Sequence, residues 1–463
     1  MTLGTLPTPC RPTALGPLLP VVGAATRVPL ATGGRARYVN LDNAASAPAL
    51  EAVADRVARL LPHYASVHRG AGYLSRVSTA LFEAARERVG AFVGARPDDV
   101  VVFTRSTTDA LDLLSRAVPD GGRVLVADVE HHANLLPWQR SARTTVVRGG
   151  PDARATADAL AAELAGGGYA LLAVTGASNV TGEVLPLHRL ARAAHAAGAR
   201  VAVDGAQLLP HRRVEIAAAG IDWIALSGHK LYAPFGAGAL VGRRDWLDAA
   251  EPYLAGGGAT LDVRADAVRW AVGADRHEAG SPNVVGAVAL AEACATLSAL
   301  PDGALEAHEA ALREQLVEGL GALEGVVVVR PHPADAVGVV TFTLPGHDAS
   351  AVAAYLSAEH GVGVRDGRFC AHRFADSLGI PTGGLRASTG VGTSSRDVER
   401  LLGALEQFLA SGPRLEYGVV DGAWGPLDDP RPAPADFLEL VLDDAPLDAP
   451  LDAPDDVLHA PAR

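Results

Sequence analysis

The chain has 463 residues, 49% of them hydrophobic and 20% charged, with 50 Gly and 31 Pro, which excludes a peptide-sized scaffold and wholesale disorder and suggests two or three domains. Its formal net charge of −13 repels phosphate backbones and argues against nucleic-acid partners. The excess is terminal: from Glu416 onward there are 12 acidic and two basic residues, so the body of the chain is nearly neutral.

Residues 1–37 begin with an apolar run broken by Pro7, Pro9, Pro12, Pro17 and Pro20, with no basic residue before Arg11. This reads as a flexible N-terminal arm and not as a signal peptide. No run of about 18 apolar residues lacks charges and breakers, so no membrane span is expected. Three cysteines, Cys10, Cys294 and Cys370, are too few for a disulfide framework and share no C-x-x-C spacing. That usage fits a reducing cytoplasm.

From residue 38 to about 300, short β-rich runs alternate with Ala/Leu-rich helical stretches. This is the pattern of an α/β domain with a mainly parallel, seven-stranded sheet flanked by helices. Strands are predicted at 99–104, 123–128, 144–148, 170–175, 200–204, 223–227 and 239–242, with helices at 78–92, 108–117, 153–163 and 187–196. Ligands of such sheets bind beyond the carboxyl ends of the strands, so polar residues just past those ends carry the functional signal. Residues 301–412 read as a smaller α+β domain, with helices at 306–323, 349–359 and 395–410 and strand-like runs at 326–329 and 337–343. Residues 413–463 read as an acidic, Pro-rich tail whose repeats at 445–456 cannot bury enough apolar surface to order themselves. Trp424, Phe437 and Leu440 form a segment that can pack on the body.

Several strand ends carry chemistry. The run Asp222–Lys230 is a strand ending in Ser227-Gly-His-Lys, which sets Lys230 above the sheet. A partly desolvated lysine there can form a Schiff base with an aldehyde cofactor, the alternative being a surface lysine. The strand at 200–204 ends in Asp204, with Gln207 one turn later. A carboxylate at that point can hold a pyridine nitrogen protonated and make the ring an electron sink, or can simply cap a helix. The segment Thr104–Asp109 opens a helix with capping-box-like spacing, and Thr107 and Thr108 offer donors to a phosphate. Ser227 and His229 can add more. After the strand ending near Asp128, the segment Glu130-His131-His132-Ala-Asn134 offers an imidazole that can stack on a flat ring or move protons. A metal site would need further ligands at matching spacing, and none is seen. His308-Glu309 lacks the second histidine of a zincin and reads as a helix surface. No Walker loop or strand-linked G-x-G-x-x-G is present.

Taken together, Leu41-Asp-Asn-Ala-Ala-Ser46, Glu130–Asn134, Ser178-Asn-Val-Thr-Gly182, Asp204-Gly-Ala-Gln207, Ser227–Tyr232 and Gly280-Ser-Pro-Asn283 resemble, in this order, the class V branch of fold-type I pyridoxal-phosphate (PLP) enzymes. The likeness is to its cysteine desulfurase and selenocysteine lyase members and spans about residues 38–410. It implies a homodimer with active sites at the subunit interface and a small-molecule amino-acid substrate. Lys230 is then the internal aldimine, Asp204 lies on the pyridine nitrogen and His131 stacks on the ring. Asn179 and Gln207 lie near the phenolic oxygen, with Thr107, Thr108, Ser227 and His229 around the phosphate. Ser281, where the family usually has Thr, reaches the neighbouring subunit's phosphate.

On the substrate side the resemblance points to Arg365 and Arg386, whose planar guanidinium groups can grip an α-carboxylate, with Asn43 counted beside them. Cys370 stands five residues after Arg365, as in desulfurases, where a loop thiolate takes the sulfur of bound cysteine, leaving alanine and a persulfide. Arg368, His372 and Arg373 are expected to favour its thiolate. A sulfur-acceptor protein is the implied partner. The chain departs from the family where Arg368-Phe369 replaces a histidine pair and His372-Arg373 stands near the usual Pro. Transaminase, C–S lyase and epimerase chemistry on a specialised amino acid therefore remain alternatives. A non-catalytic scaffold that recruits a basic partner through its tail is a third, disfavoured by the presence of both Lys230 and Asp204.

Overall fold

A computed structural model describes residues 14–68, 70–140 and 143–432. Cys10, Phe437, Leu440 and the repeats at 445–456 lie outside the described residues.

Seven strands form the central sheet: β1 (Asp99–Thr104), β2 (Val124–Ala127), β3 (Thr144–Val147), β4 (Leu171–Thr175), β5 (Arg200–Asp204), β6 (Trp223–Ser227) and β7 (Gly238–Arg243). Their spatial order is β1-β7-β6-β5-β4-β2-β3. The pairs from β3 through β6 are parallel, and β7 runs antiparallel to both β6 and β1. Alternate residues along each strand enter opposite cores, because side chains on a strand alternate in direction. Leu125, Leu172, Val203 and Leu226 join one core, with helices α1 (Tyr73–Phe92), α3 (Ala153–Ala165), α4 (Leu187–Ala196) and α5 (Val284–Ser298). Val126, Ala173, Ala202 and Ala225 join the other, beneath α2 (Thr107–Ala117). Covering both faces is what lets these strands read as continuous apolar runs.

A second unit has its own core. Strands β8 (Val327–Val328), β9 (Val339–Thr343), β10 (Arg365–Gly367) and β11 (Gly384–Ser388) form an antiparallel sheet ordered β8-β9-β11-β10. It is flanked by α6 (Ala304–Ala322), α7 (Ala349–His360) and α9 (Ser395–Ser411), and the short α8 (His372–Ser377) follows β10. Cys370 lies in the short turn between β10 and α8.

Three expectations change. Residues 14–37, expected as a flexible arm, are packed. Val21 is buried, Leu18 N–H donates to Val391 O at 2.7 Å, and Arg27–Pro29 pairs with Arg35–Arg37. Val39–Asn40 pairs with Val362–Gly363, and Val39 and Leu41 enter the second core, so the chain visits that unit before entering the large sheet. Beyond 413, Tyr417–Val420 and Ala423–Pro426 make a hairpin whose second strand, which holds Trp424, packs beside α7, so the stretch up to residue 427 is folded onto the body. His308 and Glu309, expected on a helix surface, are both buried. They lie on the Leu305–Leu312–Leu316 stripe of α6, and Glu309 accepts from His211 Nδ1 of the large unit at 2.5 and 2.6 Å. Among the described residues no helix is long and apolar enough to cross a membrane.

Candidate active site

The carboxyl ends of β4, β5 and β6 and the turns after β1 and β2 open into one cavity of about 210 Å³. Of the residues expected there, Thr107, Thr108, His131, Asn179, Asp204, Gln207, Ser227, His229, Lys230, Arg365, Cys370 and Arg386 all line it. Two do not. Asn43 is buried beside the cavity, its Nδ2 spent on Asn40 O at 3.1 Å and Ser388 O at 3.0 Å, so it fastens the 40–46 loop to β11. Ser281 is exposed before α5, away from its own chain's cavity.

Lys230 is the only lysine in the 463 residues; every other cationic side chain counted with it is arginine. It sits in the turn after β6, where Lys230 N–H donates to Ser227 O at 3.3 Å and Gly228 N–H to Ala237 O at 2.8 Å. A Cβ at Gly228 would lie 2.6 Å from Ala237 O, so this turn needs glycine. Burial pushes the Lys230 ammonium down to about 8, against the opposing pull of Asp204. Tyr232, with φ of 59°, accepts from Val391 N at 3.1 Å and ties the lysine turn to the second unit.

Asp204 ends β5, is 4% exposed, and accepts from Ala206 N at 2.9 Å. Burial raises its carboxyl, and Lys230 partly offsets this. Gln207 donates through Nε2 to Ala44 O at 2.7 Å, while its Oε1 is buried without a partner. His131 Nδ1 accepts from Ala133 N at 3.0 Å. Burial, with Lys230 nearby, pushes the imidazole down to about 3, so it is neutral. Glu130 had no assigned part. It is 1% exposed, accepts from Thr175 N at 3.0 Å and Asn134 Nδ2 at 2.7 Å, and burial raises it to about 8.

At the start of α2, Ser106 caps Asp109 N at 3.4 Å, while Ser227 Oγ accepts from Thr107 N at 2.7 Å and donates to Thr107 Oγ1 at 3.0 Å. These hydroxyls and the helix N-terminus make an anion cradle. On the opposite wall, Arg386 is 3% exposed. It donates to Asn179 O at 2.9 Å and to Asp42 Oδ1 at 3.0 Å, and its Nε has no partner. Arg365 is more exposed, its guanidinium 3.9 Å from the other Asp42 oxygen.

Phe369, missed as a site residue, lies with its ring 5.3 Å from the Arg386 guanidinium, and its carbonyl accepts from Asn179 Nδ2 at 2.7 Å. Phe369 and Cys370 are both left-handed, with φ of 54° and 52°, and Cys370 O accepts from His132 N at 2.9 Å. Both carbonyls of this strained turn are thus tied to the large unit. Cys370 is exposed and lines both the cavity and a wider outer cleft containing His132, Arg105 and Tyr253. Arg368, expected beside the thiol, instead pairs with Asp376 and donates to His372 O. Cys294 is buried and its thiol raised.

A buried amine with a lowered pKa, a carboxylate facing it, a neutral imidazole and a hydroxyl-lined helix start match the donor set that PLP requires. The orphaned Gln207 Oε1 leaves one more polar atom free for it. The architecture and donor set define a fold-type I PLP enzyme. Residues 39–401 match the aminotransferase class-V family model, and the chain belongs to that family. Among similar proteins, a cysteine desulfurase of Dickeya dadantii is 37% identical over 384 residues, covering 80% of this chain and 91% of that protein. One from Vibrio cholerae, named as a probable cysteine desulfurase, is 35% identical over 379 residues, covering 80% and 93%. The crystal structure of the cysteine desulfurase CsdA of Escherichia coli superposes with a TM-score of 0.72 at 32% identity, covering 80% of this chain and 94% of that one.

Proposed function

We propose that this chain is a PLP-dependent cysteine desulfurase that removes sulfur from L-cysteine, or selenium from L-selenocysteine, and leaves alanine. The observation that carries the proposal is that Cys370, an exposed thiol, lines the same cavity as Lys230 and the buried Arg386. When bound, PLP supplies an aldehyde for the amine and a ring that draws electrons from the substrate Cα.

Arg386 and Arg365 grip the substrate carboxylate, which fixes the Cα bonds against the ring. Lys230, whose amine is readily neutral, takes the α-proton and later returns a proton to carbon. Asp204 holds the pyridine nitrogen protonated, and His131 covers the ring face. Thr107, Thr108, Ser227 and His229 hold the phosphate. Cys370 Sγ, as a thiolate, bonds to the substrate sulfur; the Cβ–S bond breaks with its electron pair going to carbon, and Cys370 keeps the sulfur as a persulfide. In this reading the enzyme is a cytoplasmic homodimer in which Ser281 reaches the neighbour's phosphate. Residues 38–300 bind cofactor and 301–412 carry the substrate arginines. A sulfur-acceptor protein collects the persulfide.

The test is Cys370→Ala, assayed for sulfide and alanine from L-cysteine, with the bound cofactor's visible absorbance as control. Loss of sulfide with the absorbance retained supports the reading; full turnover sinks it. A second reading, aminotransferase, C–S lyase or epimerase chemistry on a specialised amino acid, draws support from Phe369, whose ring lines the cavity 5.3 Å from the Arg386 guanidinium. Amino-group exchange without sulfide, in a panel of amino and keto acids, supports that alternative.

A further inference from the structure

Arg330 follows the edge strand β8 and has a φ of 48°, in the left-handed region that favours glycine. Such a conformation persists in a bulky residue only where the surroundings over-determine it. The surroundings here are specific. The guanidinium donates through Nη1 to Glu183 Oε2 at 2.6 Å and through Nη2 to Gly150 O at 2.9 Å, both in the large unit, and lies 5.1 Å from the centroid of the Phe374 ring.

Glu183 is itself 3% exposed and already holds Thr181 Oγ1 at 2.8 Å and Ala153 N at 3.2 Å, so it is a fixed anchor. Phe374 is 2% exposed and belongs to α8, the helix that begins two residues after Cys370. Phe369, Ala371 and Phe374 all pack into the large unit's core, not the second unit's. The Cys370 turn is therefore seated on the large unit at its own carbonyl, through His132 N, and again one helical turn on, through Phe374.

We propose that Arg330 is a positioning residue for Cys370. Its planar guanidinium, anchored on Glu183, covers Phe374 and holds α8 down, so that the strained Phe369–Cys370 turn keeps the thiol at the mouth of the cavity. The sulfur-transfer part of this inference rests on the proposed role of Cys370; the seating of the thiol does not. A lysine at 330 keeps the charge facing Glu183 but lacks the flat face that stacks on a ring. A glycine relieves the backbone while removing the clamp.

The experiment compares Arg330→Ala, Arg330→Gly and Arg330→Lys in the full-length, cofactor-loaded enzyme. The readouts are kcat and KM for L-cysteine, the cofactor's visible absorbance, and the rate of Cys370 alkylation by iodoacetamide scored by peptide mass. The expected result for Ala and Gly is alkylation several-fold faster and kcat lowered roughly tenfold, with KM within about twofold and absorbance unchanged, because misplacing a reacting atom costs rate more than binding. Lys is expected to fall between these variants and the parent. Arg330→Gly, freed of strain, keeps the test valid if Ala does not fold. Parental kcat and parental alkylation in Arg330→Gly would overturn the clamp. Full turnover by Cys370→Ala would instead overturn the persulfide reading, and the alkylation rates would still decide the clamp.

Discussion

Arg365 and Arg386 stand directly opposite one another in the antiparallel pairing of β10 with β11. Like charges in that register repel, and Asp42 lies between them, 3.0 Å from Arg386 and 3.9 Å from Arg365. A carboxylate of the chain itself thus lies against the two arginines that line the cavity.

Asp42→Asn removes the counter-charge of a buried guanidinium, since Arg386 is 3% exposed. Because Asp42 is partly solvated, the expected loss of stability is about 2 kcal/mol, below the roughly 3–5 kcal/mol of breaking a fully buried pair. Thermal denaturation should show a lowered Tm that saturating L-alanine partly restores, as an added carboxylate binds the folded state alone. No Tm change in the variant argues against the pairing.

Lys230, as the sole lysine, can be titrated without competition from other side-chain amines. Its folded pKa of about 8 lies below the roughly 10.4 of a free lysine. Labelling of Lys230 by acetic anhydride in cofactor-free protein should rise with a midpoint near pH 8. Between the two pKa values the unfolded chain binds the extra proton, so this group's contribution to stability grows as pH rises through that window. A labelling midpoint above pH 10 contradicts the desolvated amine.

Glu130 has the opposite sign. Its folded pKa, raised to about 8 from an ordinary 4.5, means that the folded state holds the extra proton, so stability is lost as pH rises from about 4.5 through 8. Glu130→Gln should flatten this dependence. Urea midpoints of the cofactor-free protein at pH 5 and pH 8 should differ less in the variant than in the parent.

Phe369→Leu keeps an apolar cover over Arg386 but loses the ring whose quadrupole faces the guanidinium. A cation–π contact of about 1 kcal/mol corresponds to a rise of about fivefold in KM for L-cysteine, with little change in kcat. An unchanged KM would mean that the ring packs without orienting the arginine.

Much of the large unit was legible along the chain. The strands ending in Asp204 and Ser227 begin and end where the apolar runs do, because those runs are buried on both faces and their polar ends leave the sheet. The second unit was less legible. β10 is Arg-Asp-Gly and β11 is Gly-Leu-Arg-Ala-Ser, too short and too mixed for a period-two signal, and their pairing depends on partners about 20 residues away. The polarity of His308 and Glu309 points to a helix surface, although their spacing on the stripe of α6 sets them inward.

Local order along the chain was enough to point to the cofactor: a lysine, an aspartate and a hydroxyl-rich helix start, each delivered by its own strand, because where a strand ends is decided by residues next to one another. That Arg386 is buried while Arg365 stays exposed, that Asp42 lies between them, that Asn43 does not enter the cavity and that Cys370 is held in a left-handed turn were decided by the tertiary structure. Those features arise from contacts between residues far apart in sequence, such as Asp42 with Arg386 and Arg330 with Glu183, which no nearby pattern encodes.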